Sequence, residues 1–105
     1  MLNNIVIVGR LNEIKNINEN EIQITLATPR PFKNDEEVYE TDYIKAILRG
    51  NVAKNTMEYC KNGDLIGIKG RIEQYEDEEA PKIIGDKVTF LSTRSEEINK
   101  EIKGE

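Results

Sequence analysis

Apolar and polar residues alternate along much of the chain, which is the periodicity of strands that are covered on one side. The clearest examples are EIQITLAT, from Glu21 to Thr28, and YETDYIKAILRG, from Tyr39 to Gly50. An earlier run, IVIVGRL from Ile5 to Leu11, is apolar and β-branched, and predicts a strand that is buried on both faces for part of its length. Gly9 within this run predicts a bulge or a sharp bend.

The period becomes helical once, in NVAKNTMEYCKNG from Asn51 to Gly63. Asn51 is a suitable N-cap and Gly63 a suitable C-cap, so the pattern predicts one helix of about three turns. Two further strands are predicted after it, DLIGIKGRIEQY from Asp64 to Tyr75 and KIIGDKVTFL from Lys82 to Leu91. An acidic turn, EDEEAP, separates these two strands.

The resulting element order predicts an all-β fold with one short helix. Five curved strands with a helix between the third and the fourth are the arrangement of the five-stranded OB-fold barrel, whose sheet face and loops bind oligonucleotides or oligosaccharides. We therefore expect one such domain over residues 1–92, and a charged C-terminal extension over residues 93–105 that is frayed or forms a short helix. Phe90 and Cys60 are expected to be buried, and Tyr59 to have a structural role.

The composition narrows the class of function. The 105 residues include no histidine and one cysteine, which excludes histidine acid–base catalysis, a Cys–His dyad, a CxxC zinc or redox site and an internal disulfide. No calcium-loop or phosphate-loop motif is present, so we expect no catalytic residues, no metal and no cofactor. No apolar run reaches the ~20 residues of a membrane span, which predicts a cytoplasmic protein without membrane association.

Aromatic and basic residues are interleaved in PFKNDEEVYETDYIKAILRG, from Pro31 to Gly50. Because successive strand residues point to opposite faces, Tyr43, Lys45 and Arg49 are predicted to share one face of the third strand. Rings stack on bases and cations neutralise phosphates, whatever the base sequence. Five acidic residues in the same stretch and a net charge of −5 oppose phosphate binding, and these acids are expected to ring the binding groove rather than line it.

Three blocks of this sequence resemble, in the same order, those of bacterial-type single-stranded DNA-binding proteins: MLNNIVIVGRL, ITLATPRPFKN and YETDYIKAILRGNVAKNTMEYCKNGDLIGIKGRI. The resemblance covers roughly Met1 to Leu91. It implies non-catalytic, sequence-tolerant binding of single-stranded DNA in replication, repair or recombination, by a homo-oligomer that is a tetramer or a dimer. The positions that stack on bases in this family match Phe32, Tyr43, Arg49 and Tyr75. Where this sequence has Arg49, the family often has an aromatic ring.

The predicted nucleic-acid-binding residues are Arg30, Phe32, Lys33, Tyr43, Lys45, Arg49, Lys69, Arg71 and Tyr75. We expect the first three at the mouth of the groove, and Lys69 and Arg71 on a fourth strand adjacent to the third. Each has a structural alternative. Tyr39 and Tyr43 could be packed across strands, and Lys45, Lys69 and Arg71 could protect a sheet edge from aggregation.

The sequence also departs from the family pattern. It has no tryptophan, and the acids near the predicted groove should make binding weak and sensitive to salt. The family's acidic tip, which recruits partner enzymes, is not found in the sequence, so recruitment by that route is not expected. Two alternatives stay open: an OB-fold protein-interaction module with weak or lost DNA affinity, and an RNA-binding OB-fold, because stacking does not distinguish ribose from deoxyribose.

Overall fold

A computed structural model of the chain describes residues 1–92, and the predicted C-terminal extension lies outside the described residues. The elements are β1 (Ile5–Asn16), β2 (Glu21–Lys33), β3 (Tyr39–Arg49), α1 (Gly50–Tyr59), β4 (Leu65–Glu73) and β5 (Lys82–Ser92). The predicted order of three strands, one helix and two strands is confirmed. β2 continues five residues past its predicted end at Thr28, through Pro29 and Pro31. Proline has no N–H to donate, and the pairing with β3 is irregular between Pro29 and Lys33.

The five strands close into a barrel in the order β1-β2-β3-β5-β4, which confirms the predicted OB-fold. All neighbouring pairs are antiparallel except β3 and β5, which are parallel over three residue pairs, from Ala46–Ile83 to Leu48–Gly85. The expectation that the fourth strand lies next to the third is therefore wrong, because β5 lies between them. The chain therefore crosses the barrel between β3 and β4, where α1 connects two strands that are not neighbours.

Alternate residues of the strands fill the barrel interior. The largest fully buried side chains are Leu11, Ile24, Leu26, Leu48, Ile66 and Ile68. Phe90 is 44% exposed, so its predicted core position is wrong. It pairs across the sheet with Ile66 but lies beside α1, where it lines a groove together with Tyr59.

The ends of α1 differ from the prediction. Arg49 precedes the helix in an extended conformation and makes no capping hydrogen bond with its side chain, and Asn51 lies inside the first turn. The helix ends at Tyr59, and Cys60 is already extended. Gly63, with φ 98°, instead belongs to the turn before β4, where its N–H donates to the carbonyl of Leu11. Cys60 is buried as predicted, and this burial raises the pKa of its thiol, whereas Tyr59 is 69% exposed.

Gly9 is not a bulge. It pairs regularly with Ile66, and the irregularity in β1 falls between Leu11 and Glu13. Glycine is required there by close approach to β2, since an added Cβ would lie 2.6 Å from Thr28 Oγ1 and 2.8 Å from the carbonyl oxygen of Ala27.

Candidate nucleic-acid interface

The outer side of β2 and β3, away from the barrel core, carries the side chains predicted for stacking and phosphate contact. The antiparallel register sets Tyr43 opposite Ala27 and Lys45 opposite Thr25. Tyr43 is 62% exposed, and Lys45 and Arg49 are exposed as well. The three side chains therefore share one solvent-facing surface, which we call the outer patch (Tyr43, Lys45 and Arg49).

Tyr43 lines a cavity of about 450 Å³ on this patch. The lining residues are Ile17, Gln23, Tyr43, Ile44, Lys45, Ile47, Pro81, Lys82 and Ile83. Isoleucines and a proline supply apolar contacts, and two ammonium groups, Lys45 and Lys82, supply positive charge. The volume is within the roughly 300–1,000 Å³ of small-molecule sites, so it is large enough for a nucleobase. An apolar cavity with a ring and two cations suits a base whose neighbouring phosphates face the lysines.

Sequence reasoning missed seven of the nine residues that line this cavity: Ile17, Gln23, Ile44, Ile47, Pro81, Lys82 and Ile83. Ile17 and Pro81 lie in the turns that follow β1 and precede β5, Lys82 is the first residue of β5, and Gln23 is opposite Ile47 across β2 and β3. A signal was available, because the loops between the first two and the last two strands of an OB-fold join the sheet face in binding oligonucleotides. Lys82 also pairs with Glu78, at 2.9 Å.

Arg49 is held by acidic and phenolic groups. Its Nε donates to Glu21 Oε2 at 2.7 Å, and its Nη2 donates to the hydroxyl of Tyr75 at 3.2 Å. Its Nη1 lies 3.7 Å from Oε1 of Glu73. The hydrogen bonds with Tyr75 and Glu21 raise the pKa of Arg49, and the bond from Arg49 lowers the pKa of Glu21.

Arg71 and Tyr75 reach the same surface from β4 and the turn after it. Arg71 pairs with Glu73, at 2.7 Å, and with Asp86 of β5. Tyr75 donates a hydrogen bond to Glu73. Although β4 does not pair with β3, side chains that cross β5 bring Arg49, Arg71 and Tyr75 together around Glu73.

The hairpin that joins β2 to β3 carries Arg30, Phe32 and Lys33. Arg30 donates to Asp42 at 3.1 Å and to Glu40 at 2.7 Å. Because these two acids alternate with Tyr43 along β3, Arg30 lies on the opposite side of the hairpin from the outer patch. The bond from Arg30 lowers the pKa of Asp42.

Phe32 is 81% exposed, and no core contact accounts for its ring. Lys33 is opposite Tyr39 across the hairpin, with its Nζ 5.7 Å from the ring centroid. Tyr39 is on the same face of β3 as Tyr43, since it is four residues away. Phe32 lines a cavity of about 290 Å³ together with Arg30, Lys33 and Glu40, so its ring lies on the same side of the hairpin as Arg30. The hairpin therefore offers an exposed ring and a lysine at the end of the strand that carries the outer patch.

Three of the acids that were expected to ring the groove have basic partners: Glu40 and Asp42 contact Arg30, and Glu78 contacts Lys82. One expectation about position needs correction. Lys69 is not on the outer patch: β4 sets it opposite Val6 of β1 and Lys87 of β5, on another part of the barrel wall.

The barrel, its exposed rings and its cations define a protein of the OB-fold type with a surface suited to single-stranded nucleic acid. Residues 2–96 match the sequence model of the "Single-strand binding protein family". The chain belongs to this family.

Relatives of known name support the assignment. The chain is 33% identical to single-stranded DNA-binding protein B of Bacillus subtilis, over 92% of this chain and 96% of that protein. It is 36% identical to single-stranded DNA-binding protein 1 of Lactococcus lactis, over 95% of this chain and 71% of the relative.

Solved structures show the same fold. The SSB of Plasmodium falciparum in complex with ssDNA superposes with a TM-score of 0.67 at 19% identity, over 88% of this chain and 96% of that one. A deletion mutant of the single-stranded DNA-binding protein from Thermus aquaticus superposes with a TM-score of 0.65 at 19% identity, over 90% of this chain and 52% of that one. Within residues 1–92, no helix has the length and apolar character to span a membrane.

Proposed function

We propose that single-stranded DNA crosses the outer patch, with one base in the cavity beside Tyr43 and its phosphates near Lys45 and Lys82. The observation that carries this proposal is an exposed ring at an apolar cavity that also contains two ammonium groups. As a member of its family, the protein is a single-stranded DNA-binding protein and not an enzyme. Replication, repair and recombination are the general roles of such proteins.

The proposed path extends to the other predicted residues. Phe32 adds a second stacking ring on the hairpin, beside Lys33. Stacking on an aromatic ring is worth about 1–3 kcal/mol per base and does not depend on base identity. Arg49, Arg71 and Tyr75 contribute once their acidic partners are displaced. Arg30 contributes only where the strand passes over the other side of the hairpin, beside Phe32, and Lys69, on another part of the barrel wall, contacts a phosphate only where the strand continues beyond the outer patch.

We also propose that the protein is a cytoplasmic homo-oligomer, either a dimer or a tetramer. Val6 and Val8 are 70% and 48% exposed on the outside of β1. An apolar strip of this kind is typical of a surface that a partner covers, and symmetric homo-oligomers are the commonest assemblies. The mass in solution, measured by light scattering, distinguishes the two oligomers from a monomer.

The test of DNA binding is fluorescence anisotropy of a labelled oligo-dT with the wild type, Tyr43→Ala and Tyr59→Ala. Tyr59 is an equally exposed tyrosine on α1 and is the matched control. We expect Tyr43→Ala to weaken binding on the order of tenfold, because stacking worth 1.4 kcal/mol corresponds to a factor of ten. Equal affinities of the two variants would contradict the proposed path.

A further inference from the structure

One carboxylate on the proposed DNA-binding surface is contacted by three donor residues. Arg71 donates from Nε at 3.0 Å to Oε2 of Glu73, and its Nη2 lies 2.7 Å from the same oxygen. Arg49 Nη1 lies 3.7 Å from Oε1, and the Tyr75 hydroxyl donates to Oε1. Two guanidinium groups and a hydroxyl are also the donors that bind the anionic oxygens of a phosphodiester. Glu73 therefore fills a position whose surroundings suit a phosphate.

The positive charges of the arginines around Glu73 are already compensated within the protein. Glu21, Arg49, Glu73, Arg71 and Asp86 are joined by ion pairs, with three carboxylates and two guanidiniums, a formal charge of −1 (2 − 3). A phosphate that approaches this surface meets arginines with occupied donors. Lys45, in contrast, makes no ion pair with any residue that the structure describes.

A phosphate can replace the carboxylate in the ion pairs of Glu73 with the two arginines, because solvent reaches these side chains. The side chains of Arg49, Arg71 and Glu73 are 40%, 39% and 24% exposed. Ion pairs at such exposure gain little free energy, so a DNA phosphate can compete with the carboxylate. The hydrogen bond from Tyr75, aided by the one from Arg71, lowers the pKa of Glu73, which keeps its carboxylate charged at neutral pH.

We propose that Arg49, Arg71 and Tyr75 form a phosphate-binding site that Glu73 occupies in the free protein, and that single-stranded DNA binds there by replacing this carboxylate with a backbone phosphate. This inference rests on the proposed function, because it concerns the same surface. Glu73 is then a residue that sets the affinity: it holds the two arginines in place but lowers the net gain from each phosphate contact.

The decisive variant is Glu73→Gln, which keeps the size of the side chain and removes its charge. We expect this variant to bind oligo-dT roughly threefold to tenfold more tightly at low salt than the wild type. The slope of log K against log salt should become steeper by up to about 0.7, which is the value for one further phosphate neutralised on a single strand. The control is Glu58→Gln on the exposed side of α1, which changes the net charge equally. Melting temperatures establish that each variant is folded.

A double-mutant cycle with Arg71→Ala adds a readout that a purely structural role would not move. Arg71→Ala should cost more affinity in the Glu73→Gln background than in the wild type, where the carboxylate already neutralises the arginine. The proposal is overturned if Glu73→Gln binds no more tightly than Glu58→Gln, or if the cost of Arg71→Ala is the same in both backgrounds. In these cases wild-type binding that is sensitive to Tyr43→Ala leaves the proposed function intact. If neither the wild type nor Glu73→Gln binds oligo-dT at low salt, both proposals fail.

Discussion

At position 9 of β1 the backbone passes so close to β2 that the absence of a side chain is itself a structural requirement. In Gly9→Ala the new methyl group would lie 2.6 Å from Thr28 Oγ1 and 2.8 Å from a backbone oxygen of Ala27. The hydroxyl can rotate away, but the backbone oxygen belongs to the β1–β2 ladder and cannot. We expect the free energy of unfolding to fall by about 1–3 kcal/mol, as for other overpacked sites, when measured by urea denaturation.

Gly67→Ala is the matched control, since Gly67 is also a strand glycine of the barrel. The nearest atom to an added Cβ there is Cγ2 of Val8 at 3.7 Å, an ordinary contact distance. Its stability should be unchanged or slightly higher, because alanine restricts the unfolded chain more than glycine does. If Gly67→Ala lost as much stability as Gly9→Ala, the close approach of β2 to position 9 would not be the cause of the destabilisation.

At the scale of elements, the alternation of apolar and polar residues along a strand indicates which side chains face the core. For this reason the five strands were predictable, and so was the shared face of Tyr43, Lys45 and Arg49. The residues at which strands and the helix begin and end were less predictable, because they depend on contacts between segments that are distant in sequence. Gly63, for example, is placed by its bond to Leu11, which is remote in sequence, and not by a helix cap.

The candidate site was predictable only where it lies on a single strand. The cavity beside Tyr43 also needs Pro81 and Lys82, which β5 brings to β3 through parallel pairing. No local pattern encodes this neighbour, since strand order in a closed barrel is set by the whole chain. The pairing of Arg49 with Glu73 across β5 was out of reach of the sequence for the same reason.

At the scale of the whole molecule, an acidic protein that binds DNA must concentrate uncompensated positive charge on one surface. The net charge is −5, and Arg30, Arg49 and Arg71 are all paired with carboxylates. The positive charge near the outer patch that phosphates can use most readily is thus on lysines. Lys45 in the centre and Lys33 on the hairpin make no ion pair with a described residue, and Lys82 beside Lys45 has a single carboxylate partner, Glu78, which a phosphate must displace. The number of phosphates neutralised should therefore be small.

The number of phosphate contacts predicts how strongly the affinity for DNA depends on salt. Three phosphate contacts at about 0.7 each give a slope near −2, so raising salt from about 50 to about 200 mM should weaken oligo-dT binding roughly 20-fold. Lys45→Ala removes one contact and should reduce that loss to roughly 7-fold, as measured by anisotropy titrations across the same range. Lys54→Ala, an exposed lysine on α1, should leave the slope unchanged. If both variants had the same slope, the charge that holds the strand would be spread over the barrel, and the outer patch would not be its centre.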